Sequence, residues 1–211
     1  MNNATFFFNQ PKNEPVFSYA KGSKERELLS KELEKQYNQC IEIPIIINGK
    51  EIRTGNVSEV VMPTEHSHVL AKFHKADKET VQKAIEAALE ARKKWENVHW
   101  IDRCSIMLRA AELLAGKYRY VINAATMLGQ GKNPFQAEID SACETIDFLR
   151  FNVHYASKIY AQQPLSDNSA INRLEYRGLE GFVYAISPFN FTSIACNLNI
   201  SPVLCSCSTF Y

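Results

Sequence analysis

"GFVYAISPFNFTSIACN", Gly181 to Asn197, decides how the chain is read, because its character changes halfway along. Phe182 to Ile186 is an unbroken apolar run, the pattern of a strand buried on both faces. Ser187 and Pro188 break it, and one amide, Asn190, stands between Phe189 and Phe191. Thr192 or Ser193 then offers an N-cap for a following helix. A buried strand leading through a polar loop into a helix is half of an α/β unit, and in open α/β sheets ligands bind beyond the carboxyl ends of the strands. Two roles fit Asn190 equally well there. It is either a donor aimed at a ligand or an amide that caps the next helix.

Upstream, "NPFQAEIDSACETIDFLRFNVHYASKIY", Asn133 to Tyr160, opens with an Asn cap, Pro at the first helical position and Gln136 three residues after the cap. Phe135, Ile139, Ala142, Ile146, Leu149, Val153 and Ala156 follow in steps of four and three, which predicts one long core-facing helix. On a wheel of 100° per residue Glu138 lies roughly 60° from the centre of that stripe, so it is the acid expected to be partly buried. Periodicity alone favours an ion pair with a neighbouring Arg or Lys for it. The polar "SDNSAINR" reads as a loop, Leu174 to Arg177 as a short strand, and the final strand starts after Gly181.

Towards the N-terminus, Asp77 caps a helix with Val81, Ala84, Ile85, Ala88 and Leu89 on one face and Arg92, Lys93 and Lys94 in its last turn. Cys104, Met107, Leu108 and Ala111 mark a second amphipathic helix, and another turn or two after Gly116 is stopped by Gly129 and Gly131. In "IEIPIIINGKEIRTG", Ile41 to Gly55, Asn48-Gly49 between two β-rich runs predicts a two-residue hairpin. "HVLAKFHKAD" alternates like a strand with one wetter face, its His residues on the surface. A short helix is expected around Glu25 to Tyr37. The order, an N-terminal extension over 1–39 with a short helix, then a hairpin and strands, several helices and a final strand, predicts an α/β fold.

Composition excludes several classes of function. The 211 residues are 45% hydrophobic and 22% charged, ordinary for a globular chain, and 24 Lys plus Arg against 23 Asp plus Glu leave a formal charge of +1. No single-sign block points to nucleic acid or a membrane surface, and no apolar run approaches the ~20 residues of a membrane-spanning helix. Six cysteines lie without a repeated spacing, which favours reduced thiols. Cys205-Ser206-Cys207 and His66-Ser67-His68 lack the second ligand pair of a zinc site, so no metal is assigned. The opening "MNNATFFFNQPKNEP" lacks Arg and is a poor transit peptide. There is also no G-x-G-x-x-G.

"EGFVYAISPFNFTSIACNLN" resembles the aldehyde dehydrogenase signature of a strand followed by Pro, an aromatic, Asn and Phe. With "NEPVFSYAKGSKERELL", "ADKETVQKAIEAALEARKKWE" and "GQGKNPFQAEIDSACETIDFLRFNVHYA", the chain from about Asn13 to about Leu204 is similar to the mitochondrial pyrroline-5-carboxylate dehydrogenases, also called glutamate-semialdehyde dehydrogenases. The resemblance implies the N-terminal part of an aldehyde dehydrogenase fold, with antiparallel strands and helices leading into an incomplete Rossmann-like NAD-binding domain over 40–204 and an unmatched tail over 205–211, in a homo-oligomer of the mitochondrial matrix. It implies NAD-dependent oxidation of the small molecule glutamate γ-semialdehyde to glutamate. Asn190 matches the side-chain donor to the oxyanion, Ser187 and Ile186 line the cofactor, and Phe191 packs beside the aldehyde chain. Glu138 falls in "QAEID", whose Glu lies near the substrate, so the resemblance sets a substrate role against the ion pair. The nucleophilic Cys, the Glu base and the anchor for the substrate's α-carboxylate match nothing here, and "CSCSTFY" after Leu204 matches nothing in the family. The chain alone is therefore expected to be catalytically incomplete. The alternative is a non-catalytic form that binds full-length subunits or another protein.

Overall fold

The computed structural model describes residues 8–199 and the strand Ser208–Thr209. The start of the stretch read for targeting, and Cys205 and Cys207, lie outside them. The hairpin forms as its turn residues require: β2 (Ile45–Ile47) pairs antiparallel with β3 (Lys50–Ile52), with Asn48 at φ 51° and Gly49 at φ 72°. Pro44 splits the preceding apolar run, because it cannot donate to a ladder. The piece before it is a separate strand, β1 (Ile41–Ile43). β1 lies parallel to β5 (Glu65–His74), which pairs on its other side with β4 (Val57–Met62), giving the sheet order β1-β5-β4.

Helix α1 (Lys24–Tyr37) precedes this sheet, capped by Ser23, and α2 (Lys78–Trp95) follows it, capped by the Asp77 carboxylate on the Thr80 N–H. α3 (Trp100–Ala115) then packs on the long C-terminal helix α6 (Glu144–Ala161) through Cys104 and Ala111 against Ile146, Leu149, Val153 and Ala156. Each buried Ile or Leu there contributes roughly 1.5–3 kcal/mol. α1 packs on α4 (Arg119–Gln130) through Leu29 and Ala124, with Tyr19 from the segment before α1 buried in the same cluster.

Several sequence expectations are corrected. α4 runs for 12 residues, because Gly129 is tolerated inside it and only Gly131, at φ 64°, ends it. The expected single helix from Pro134 is three pieces: α5 (Pro134–Ala137) under its capping box, a π-turn over Glu138–Cys143, and α6. The wider π-turn breaks the phase of the stripe, so Phe135 faces solvent while Glu138 turns fully inward. His74 is not a surface group: its Nδ1 accepts the Gly55 N–H (3.2 Å) and its Nε2 lies 2.7 Å from the Glu42 carboxylate. Leu174–Arg177 is no strand, since it pairs with no strand among the described residues and Tyr176 spends its hydroxyl on the Ile159 and Gln162 carbonyls.

The apolar run after Gly181 forms only the two-residue strand β6 (Phe182–Val183), paired parallel with β7 (Ser208–Thr209). It is not buried on both faces: Ile186 is 68% exposed, because no described element covers it. Leu165, Ile171, Leu174, Tyr184 and Phe189 are also exposed. Apolar surface of this kind recruits other chains. Expressed alone, the chain is expected to associate or to hold chaperones in size-exclusion and pull-down measurements. A monodisperse monomer with a cooperative thermal transition would contradict this.

Candidate active site

The segment after β6 runs as an exposed loop through Ser187 to Asn190 before a 3-10 turn over Ile194–Cys196. Asn190 is exposed, and among the described residues its side-chain amide has no hydrogen-bond partner. It caps no helix. Ser193 occupies the cap position of the turn yet does not cap either; its hydroxyl bonds the Ser141 carbonyl (2.8 Å) and the Thr145 hydroxyl (2.9 Å). Ile186, Ser187 and Phe191 lie on the same loop as Asn190, with Phe191 half-buried.

The loop is tethered from the other end of the fold. Gln130, at the end of α4, donates its amide to the Phe189 carbonyl at 3.4 Å. Gly131 then turns the chain, and the Lys132 ammonium reaches the Asn190 carbonyl at 2.9 Å and the Asp140 carboxylate at 2.7 Å. The same ammonium stands 4.6 Å from the centre of the Phe191 ring, a cation–π contact. Sequence reading missed Gln130, Lys132 and Asp140, because no local spacing connects them to a loop nearly 60 residues away.

Glu138 does not lie on this loop. The π-turn sends it inward and Asp140 outward to Lys132. Arg119 forms a buried ion pair with Glu138, whose oxygens also accept from the Phe17 N–H (2.9 Å), the Tyr19 hydroxyl (2.6 Å) and the Asn123 amide (2.7 Å). The ion pair held open above is thus the arrangement found. Burial pushes the Glu138 carboxyl up, but Arg119, Tyr19 and the Phe17 N–H together outweigh it and hold the group below the usual carboxylate range. Arg119 also binds Glu14, which bridges to Arg150, so the segment from Glu14 to Tyr19 is strapped across α4 and α6. A signal was present in sequence: Arg119, Asn123 and Thr126 recur at helical spacing along one face of α4, and all three are buried.

None of the thiols Cys104, Cys143 and Cys196 is set as a nucleophile. Burial, helped by the negative charge of Glu138, pushes Cys143 up to about 12, and burial also raises Cys196. Cys104 is wholly buried in the α3–α6 core. A mainly apolar cleft of about 530 Å³ between α1, β1, β5 and α4 reaches Gln130 at the end of α4 and meets the segment after β6 at Thr192.

Comparison with known proteins gives this arrangement a family. Residues 51–210 match the model of the aldehyde dehydrogenase family. A delta-1-pyrroline-5-carboxylate dehydrogenase of Agaricus bisporus is 52% identical over 203 residues, 95% of this chain and 37% of its own length. The human protein named delta-1-pyrroline-5-carboxylate dehydrogenase, mitochondrial, is 50% identical over 192 residues, 91% of this chain and 34% of its own. The crystal structure of the delta-pyrroline-5-carboxylate dehydrogenase of Mycobacterium tuberculosis bound with NAD superposes with a TM-score of 0.95 at 44% identity, covering 99% of this chain and 39% of that one. The chain thus spans little more than a third of the length of these relatives. Its mixed α/β fold is that of the N-terminal part of these enzymes. Over most of its length, this chain belongs to the aldehyde dehydrogenase family.

Proposed function

We propose that this segment forms the oxyanion wall of an NAD-dependent enzyme that oxidises glutamate γ-semialdehyde to glutamate, in the mitochondrial matrix and as a homo-oligomer. The observation that carries the reading is Asn190: an exposed amide with no partner among the described residues, on a loop tethered from the end of α4 and from Lys132. Attack of a cysteine thiolate on the aldehyde puts negative charge on the carbonyl oxygen. A preorganised neutral N–H donor stabilises that charge without protonating the oxygen outright, and one such donor contributes about 2.7–4 kcal/mol to lowering the barrier.

Ile186 and Ser187 line the cofactor in this reading, and their exposed position at the carboxyl end of β6 suits a ligand. NAD, when bound, supplies the hydride acceptor. Phe191, steadied by Lys132, packs beside the aldehyde chain. Glu138 holds the framework behind the loop, its oxygens already engaged by protein donors. The nucleophile and the base come from outside the residues of this chain.

The test compares the 211-residue chain with a complete enzyme carrying this segment, each mixed with NAD and glutamate semialdehyde while NADH absorbance is followed. Turnover is expected from the complete enzyme alone. Turnover by the chain above the protein-free rate would overturn the division of labour, and inactivity of the complete enzyme towards this aldehyde would overturn the substrate. A second reading, docking on full-length subunits, is favoured by the exposed Leu165, Ile171 and Leu174, and predicts stable co-purification with them.

A further inference from the structure

The direction of a side chain is set by φ and ψ of its own residue, and so by the two peptide planes that flank it. Both planes around Asn190 are held. Gln130 binds the Phe189 carbonyl, in the plane before it, and Lys132 binds the Asn190 carbonyl, in the plane after it. Lys132 is the stronger tether, since its ammonium makes a charge-assisted bond at 2.9 Å against 3.4 Å for Gln130. It is itself seated twice, by the Asp140 carboxylate at 2.7 Å and by the face of Phe191. The π-turn makes this seat available by turning Asp140 outward while Glu138 is drawn inward to Arg119. Lys132 is 19% exposed and Asp140 28%, so water competes only partly for the pair.

We propose that Lys132, held by Asp140, is a positioning residue: it fixes the backbone of Asn190 so that the side-chain amide is aimed where the oxyanion forms. This rests on the reading of Asn190 as the oxyanion donor. Lys132 forms no bond to the reacting atoms and moves no proton. It acts by preorganisation, and a misplacement of about 1 Å at such a donor costs on the order of 10²-fold.

The experiment is a double-mutant cycle in a complete enzyme carrying this segment, with Lys132→Met, Asn190→Ala and both together. Lys132→Met is expected to lower kcat on the order of 10- to 100-fold while KM for NAD stays put. In the Asn190→Ala background the same change is expected to cost less than about 2-fold, because the group it positions is gone. Lys132→Arg, which keeps a cation able to reach carboxylate and carbonyl, should recover most of kcat, whereas a role in fold stability alone would move the thermal midpoint and not kcat. If Lys132→Met does not fold, Asp140→Asn loosens the same seat and is expected to show a smaller loss, again absent beside Asn190→Ala. Full additivity would overturn the proposal, since Lys132 would then act without Asn190. So would normal kcat in Lys132→Met or Asp140→Asn while Asn190→Ala is impaired, and that result leaves the oxyanion reading standing. Normal kcat in Asn190→Ala itself would overturn both.

Discussion

Replacing Asn190 by Ala in a complete enzyme carrying this segment is expected to lower kcat on the order of 10²–10³-fold with little change in NAD affinity. The expectation follows from what the substitution leaves in place. The tethers on the loop run through backbone carbonyls, those of Phe189 and Asn190, and both survive removal of the amide. The side chain itself is exposed and has no partner among the described residues, so its loss vacates no buried donor or acceptor. Had Asn190 capped a helix, its loss would cost about 1 kcal/mol of stability and spare turnover. The following 3-10 turn begins only at Ile194, so the thermal midpoint is expected to stay within the scatter of surface substitutions. Normal turnover beside a lowered midpoint would return Asn190 to a structural role.

The parts of this fold legible in sequence were those decided by a few neighbouring residues. Asn48-Gly49 requires positive φ and gives the hairpin; Asp77 and the Asn133–Gln136 pair name the starts of their helices; Cys104 and Ala111 share one face and meet the core. What was missed depends on distant partners. The π-turn at Glu138–Cys143 has no local signature, but it brings Glu138 to Arg119 and Asp140 to Lys132 at once. A spacing rule that assumes an unbroken helix therefore places Phe135 in the core and underestimates the burial of Glu138. Phe182 to Ile186 failed for the opposite reason. Its composition fits a two-sided buried strand, but burial needs neighbours, and the described residues supply only the two-residue partner β7. For the site, the sequence marked the loop and the residues on it, while the tethers that hold it could be read only from the fold.

Breaking the Glu138–Arg119 pair is expected to cause the largest loss of stability. Both side chains are essentially inaccessible, and Glu138→Ala would strand the Arg119 guanidinium with Glu14 and the Pro15 carbonyl as its remaining oxygen partners. It would also leave the Tyr19 hydroxyl and the Phe17 N–H without their acceptor. Removing one partner of a buried pair typically costs 3–5 kcal/mol, about half of a typical domain's stability. Tyr19 adds to the sensitivity, since its backbone sits at φ 53°, a conformation costly for a bulky residue and held here by its bonds to Glu138 and Asn123. The pair also sets a pH dependence. With its folded pKa held below the unfolded value of about 4.3, Glu138 contributes stability that is fully present above that pH and lost as pH falls through the folded pKa, because the unfolded chain takes up the proton first. Glu138→Gln keeps the shape but cannot titrate, so it should be less stable at neutral pH and lose less on acidification below about pH 4.3. Replacing both partners, Arg119→Met with Glu138→Leu, should cost less than the sum of the single changes, since no charge is left stranded. Thermal midpoints of the parent, Glu138→Ala, Glu138→Gln, the single changes Arg119→Met and Glu138→Leu, and the double variant, at pH 7 and near pH 3, decide the matter. A Glu138→Ala protein as stable as its parent, with the same acid slope, would mean that the network seen around Arg119 contributes nothing to holding the Glu14–Tyr19 segment in place.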